Sequence, residues 1–144
     1  VSGRPLLRLS VAAEPASLKP LRDALCAQLD RLGVERALRD RLKLVLDEAA
    51  ANVIRHAYRD CSPGRIELTV ERRRGLLRIR LRDEAPPVDP GCVRPRDLDE
   101  CRPGGLGVNF IDATMDGWRL RPLPRGRGNV LTMFKRLNAA GDDA

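Results

Sequence analysis

Apolar residues alternate with polar ones in two neighbouring stretches, Ile66, Leu68, Val70 and then Leu77, Ile79, Leu81. A period of two marks a strand with one buried face, and Arg73-Arg74-Gly75 between the runs reads as a hairpin turn. The intervening positions carry Glu67, Thr69 and Glu71 on one run and Arg78, Arg80 and Arg82 on the other, suited to pairing across the strands. One face of this sheet is therefore expected to be dry and the other wet. Asp83 keeps the parity of Leu77, Ile79 and Leu81, so its carboxylate should project toward the buried layer where the strand stops. That placement is costly without a partner.

Other segments have a helical period. Leu18, Leu21, Leu25, Leu29 and Leu32 recur at helix spacing, and Gly33 is the expected stop. A second helix is expected from near Glu35 to about Tyr58, with an apolar stripe of Leu38, Leu42, Val45, Leu46, Ala49, Val53 and Ala57. Beside it runs a polar stripe of Glu48, Asn52, Arg55, His56 and Arg59, in which Glu48 and Asn52 stand one turn apart on the same flank. Residues 5–12 read as an opening strand, and Gly104 to Gly107 lead into a helix through Val108, Ile111 and Met115. Two closing strands are expected around Trp118–Arg121 and Asn129–Arg136, joined by a turn at Pro124–Gly128. Residues 84–103 have no period and are rich in proline and charge; loops of that length in compact domains are usually functional or disordered. With no repeat and no composition break, one domain over residues 1–144 is expected.

Composition narrows the function classes. At 144 residues with 42% apolar content the chain can bury a substantial core, built mainly from Leu, Val, Ile and Ala because aromatic residues make up only 3%. No apolar run approaches the ~20 residues of a membrane span, and the start of the chain lacks a secretory profile. Cys26, Cys61, Cys92 and Cys101 form no C-x-x-C pair, and the lone His56 cannot complete a zinc site. A reduced, cytoplasmic protein without membrane association is the expectation. The net charge of +7 invites a nucleic-acid reading. The positive residues are spread along the chain, however, and rings for base stacking are scarce, so direct nucleic-acid binding is not expected.

The chemistry lies in a combination of motifs. In order, the chain presents Glu48 four residues before Asn52, then His56-Ala57-Tyr58, the stretch from Asp83 to Pro90, Gly104-Gly105-Leu106-Gly107, Met115-Asp116, and Gly128-Asn129-Val130-Leu131-Thr132. This set resembles the superfamily of gyrase, the heat-shock chaperone ATPase, histidine kinases and mismatch-repair ATPases. Within it the likeness is to anti-sigma-factor serine/threonine kinases of bacterial partner-switching modules, and it spans nearly the whole chain. The resemblance implies an α+β fold, a two-layer α/β sandwich of the Bergerat type, with helices on one face of a mixed, largely antiparallel sheet and a nucleotide lid at about 84–103.

The resemblance also implies ATP/ADP and Mg²⁺ as cofactors. Asn52 would be the protein's metal ligand, sufficient where substrate phosphates supply the rest, and Glu48 the catalytic base for an attacking hydroxyl. Asp83 would accept from the adenine amine. The amides of Gly104, Gly105, Leu106 and Gly107 at a helix N-terminus would meet phosphate. Arg55, His56 and Arg102 would lie near the phosphates, and Ala85, Val88 and Asn129 would complete the nucleotide contacts. Two positions depart from the family pattern: Ala85 stands where glycine usually follows the aspartate, and Asn129 replaces a common threonine.

The implied function is a switch kinase that phosphorylates Ser or Thr on an antagonist protein and sequesters a sigma factor or other regulator, with homodimerisation open. The rival readings are a non-catalytic, nucleotide-gated protein-binding module, and the ATPase domain of a larger sensor or phosphatase regulator. The sequence contains no upstream dimerisation helix with a phosphorylatable histidine, which, for a complete chain, argues against an ordinary histidine kinase.

Overall fold

A computed structural model describes residues 5–59, 64–84, 105–126 and 128–137. Five strands and three helices follow in the order β1 (Leu7–Ala12), α1 (Leu18–Arg31), α2 (Arg36–Arg59), β2 (Arg65–Arg73), β3 (Leu76–Asp83), α3 (Gly105–Thr114), β4 (Gly117–Pro122) and β5 (Asn129–Arg136). The strands form one sheet in the order β1-β2-β3-β5-β4. All four pairings are antiparallel, so the expected mixed sheet shows no parallel pair among the described residues. The last strand slots between β3 and β4, which makes β3 the middle strand of the sheet.

The period-two reading holds, except that Thr69, expected on the wet face, is also buried. Ile66, Leu68, Val70, Leu77, Ile79 and Leu81 are buried, and they share one core with Leu21, Leu25 and Leu29 of α1, Leu42, Val45, Leu46, Ala49, Ala50 and Ile54 of α2, and Ile111 of α3. All three helices therefore cover the same sheet face, which makes the fold a two-layer α+β sandwich. On the opposite face Glu71 Oε1 accepts from Arg78 Nη2 at 2.6 Å, the cross-strand pairing expected from the alternation. Within α2 the buried line drifts. Ala50 and Ile54 are buried, whereas Val53 is only partly so, because α2 packs against α1 and α3 as well as the sheet.

Local signals explain the turns. At the end of α1 the Gly33 N–H donates to Asp30 O and the Val34 N–H to Leu29 O, with Gly33 at φ +72°. This paired capping closes the helix and requires a left-handed residue, which glycine supplies at least cost. The β2–β3 hairpin turns on two residues, Arg74 at φ +51° and Gly75 at φ +76°. A two-residue turn with both φ positive matches strand twist, but it favours Asn-Gly over Arg-Gly. Arg74→Asn should therefore stabilise the fold by about 0.5–1 kcal/mol, read as a higher urea midpoint. An unchanged or lower midpoint would contradict that turn geometry.

Candidate functional site

The middle strand β3 ends at Asp83, which stays on the core side of the sheet and is 7% exposed. Its register partners are Ile66 on β2 and Asn129 on β5. Asn129, 1% exposed, donates from Nδ2 to Asp83 Oδ1 at 3.1 Å. The buried carboxylate thus has a polar partner, as burial demands.

Gly128 fixes how these two residues meet. It sits at φ +127°, and a Cβ built there would lie 1.8 Å from the Asp83 carbonyl oxygen. The backbone entering β5 therefore passes directly against the Asp83–Glu84 peptide, at a distance only glycine permits. The turn before it closes through Leu123 N–H donating to Gly128 O at 2.7 Å.

Helix α2 supplies the second set of residues. Glu48 and Asn52 are both half-buried on one flank, beside the buried Ala49, Ala50 and Ile54. Asn52 Oδ1 accepts from Arg55 Nη1 at 3.2 Å, so the three-residue spacing of the polar stripe produces a contact. Just before Glu48, Asp47 receives Arg22 Nη1 of α1 on both carboxylate oxygens, at 3.1 and 3.3 Å. Periodicity could not pair these two residues, because they are 25 positions apart on different helices.

The glycine motif lies at a helix start, as its composition suggests: Gly105, Leu106 and Gly107 form the first turn of α3. Helix α3 packs against α2. The Met115-Asp116 pair that follows serves structure. Met115 is buried, and Asp116 Oδ2 accepts from the Arg136 N–H at 2.6 Å. Lys135 Nζ donates to Thr114 O at 2.9 Å, where a cation complements a helix C-terminus.

Several sequence candidates cannot be placed. Ala85, Val88, Arg102 and Gly104, with nearly all of the expected lid at 84–103, lie outside the described residues. His56 belongs to α2 by its backbone. Among the described residues no group of three His, Cys, Asp or Glu side chains could hold a metal ion. A magnesium ion carried mainly by substrate phosphates fits such a surface, since it needs only one or two protein oxygens. Asn52 offers one, shared at present with Arg55. No described helix is long and apolar enough to cross a membrane.

Comparison with known proteins agrees with this architecture. The chain is 29% identical over 138 residues to the anti-sigma F factor of Pasteuria penetrans, covering 92% of this chain and 82% of that one. It is 25% identical over 140 residues to the serine-protein kinase RsbW of Bacillus subtilis strain 168, covering 92% and 86%. Among solved structures, a chain of the SiaB–SiaC complex from Pseudomonas aeruginosa superposes with a TM-score of 0.64 at 14% identity, over 94% of this chain and 91% of that one. The model of the histidine kinase-like ATPase domain matches residues 11–135. With that match running from β1 into β5, and the Asp83 strand end and the α2 polar flank inside it, the chain belongs to the histidine kinase-like ATPase domain family.

Proposed function

We propose that this chain binds ATP and transfers its γ-phosphoryl group to a Ser or Thr of an antagonist protein, and that it sequesters a sigma factor or another regulator. The observation that carries the nucleotide half is Asp83, a buried carboxylate at the end of the middle strand with its polar partner Asn129. Such a group suits the exocyclic amine of adenine, which gains a charged acceptor in a low-dielectric site. The names of the relatives, an anti-sigma factor and a serine-protein kinase, support the switch half.

The roles follow from chemistry. Asp83 accepts from the base, and Asn129 holds that carboxylate in orientation. The first amides of α3 meet phosphate oxygens, where unpaired N–H groups and the helix dipole favour anions. Asn52 would hold Mg²⁺ by its carbonyl oxygen, and Arg55, which donates to that oxygen at 3.2 Å, would stand near the phosphates. Bound Mg·ATP supplies the transferable phosphoryl group and charge neutralisation. Glu48, one turn from Asn52, takes the proton of the attacking hydroxyl. Most of the remaining catalysis is positioning.

Asp83→Asn tests the nucleotide site. The substitution removes the charged acceptor and should weaken ADP by roughly 10–150-fold, equivalent to ~1.5–3 kcal/mol. Calorimetry on the folded variant reads this directly, and unchanged affinity would remove Asp83 from the site. A second reading, a nucleotide-gated binding module without transfer, has its own support in the Arg55–Asn52 contact, which occupies the oxygen the metal would need. The native partner, co-purified and offered radiolabelled ATP, separates the two: label on its Ser or Thr supports the kinase, and nucleotide-dependent affinity without label supports the module.

A further inference from the structure

The sheet face turned away from the helices carries an arrangement that the nucleotide site does not use. Register places two adjacent rows across all five strands: Arg8, Thr69, Arg80, Thr132, Arg119, and next to it Ser10, Glu67, Arg82, Val130, Arg121. Arginine thus dominates the middle of the face, with Glu67 as the sole acid in the two rows. Arg8, Arg82, Arg119 and Arg121 are exposed and form no ion pair among the described residues. Arg80 reaches Glu71 only at 3.5 Å. Thr69 is nonetheless 7% exposed, covered by neighbouring side chains as long aliphatic stems cover a surface. Part of the positive charge that looks scattered along the sequence is gathered on one face by strand alternation.

We infer that this face docks an acidic, amphipathic helix of a partner protein. Spacing favours that occupant. Arg8, Arg80 and Arg119 stand on every second strand, roughly 9.5 Å apart, close to the ~10.5 Å between residues seven apart on a helix. Arg82 and Arg121 stand about 6.7 Å to one side of that row along the strands, where glutamates on the flank of the same helix can reach them. A helix lying across the strands with glutamates at those spacings meets guanidinium groups suited to carboxylate pairing. Half-buried Val130 lies between Arg82 and Arg121, and half-buried Phe134 is on the same face beside Thr132; an amphipathic helix can cover both with apolar side chains and a phosphate backbone cannot. The chain's scarcity of aromatic residues, 3%, also disfavours stacked bases as the occupant. This inference is independent of the nucleotide reading, since none of these residues belongs to that site.

The test uses the full chain and a fluorescent helical peptide with glutamates at i, i+4, i+7 and i+11 bordered by leucine and alanine, followed by anisotropy. Arg82→Glu with Arg121→Glu should weaken the peptide about tenfold or more. Arg36→Glu with Arg41→Glu, which reverses the same charge at exposed positions of α2, should weaken it no more than about threefold. Circular dichroism checks that both variants fold. Equal losses in the two variants would show that net charge alone attracts the peptide and would overturn the docking face. A DNA duplex that binds more tightly than the peptide, and is lost in the sheet variant, would overturn it in favour of nucleic acid.

Discussion

Glu48→Gln should cut phosphoryl transfer to the cognate partner by roughly 10²–10⁴-fold, the span of general-base catalysis, while ATP and ADP affinity stay nearly constant. The amide keeps the size and reach of the carboxylate but cannot usefully take a proton. Glu48 is half-buried on the same flank of α2 as Asn52, one turn before it, and its neighbours Ala49 and Ala50 are packed in the core. The substitution therefore changes basicity without disturbing packing. Single-turnover transfer with saturating Mg·ATP measures it, alongside calorimetry for binding. Transfer at full rate in the variant would mean that substrate positioning supplies the catalysis. Absence of transfer in the unsubstituted protein, together with nucleotide-dependent partner affinity, would favour the binding module.

Gly128→Ala should destabilise the fold by about 3–5 kcal/mol, the upper range for a single substitution, and should abolish nucleotide binding by whatever protein remains folded. Its added methyl would sit 1.8 Å from the Asp83 carbonyl oxygen and 3.0 Å from Glu84 Cα, in backbone that cannot rotate aside as a flexible side chain can. Gly33→Ala is the control. Gly33 also has positive φ, at +72°, but nothing lies within 4 Å of its added Cβ. Only the left-handed strain remains there, about 1–2 kcal/mol. Urea unfolding of both variants separates strain from overlap. Similar losses in the two would mean that β5 can shift away from β3 at little cost.

The parts of this molecule that were legible in the sequence are those governed by short-range periodicity. Alternation assigned Ile66 to Leu81 to one face, and the same parity carried Asp83 to the core side, where it lies. Glycine chemistry located the stop at Gly33 and the hairpin at Gly75. The position of β5 between β3 and β4 was not legible, because strand order depends on contacts far apart in the chain. For the same reason Asn129 could be named as a nucleotide candidate, whereas its hydrogen bond to a residue 46 positions away could not. The α2 stripe was misjudged at Ile54 because a helix touched by two neighbours buries a wider arc than a single periodic line describes. Nor does composition reveal a surface: the arginines of β1, β3 and β4 are separated in sequence and become neighbours only through the register.

The clasp of Arg22 on both oxygens of Asp47 bears on the roll of α2 about its own axis. A helix side chain ends about 5–6 Å from the axis, so a roll of ~20° would swing its tip sideways by roughly 2 Å. Misplacement of even about 1 Å at a reacting group can cost two orders of magnitude in rate. By holding the residue immediately before Glu48, α1 adds to the packing that fixes the azimuth of the proposed base. Anything that tilts α1 acts on that carboxylate as a lever, without touching nucleotide or acceptor.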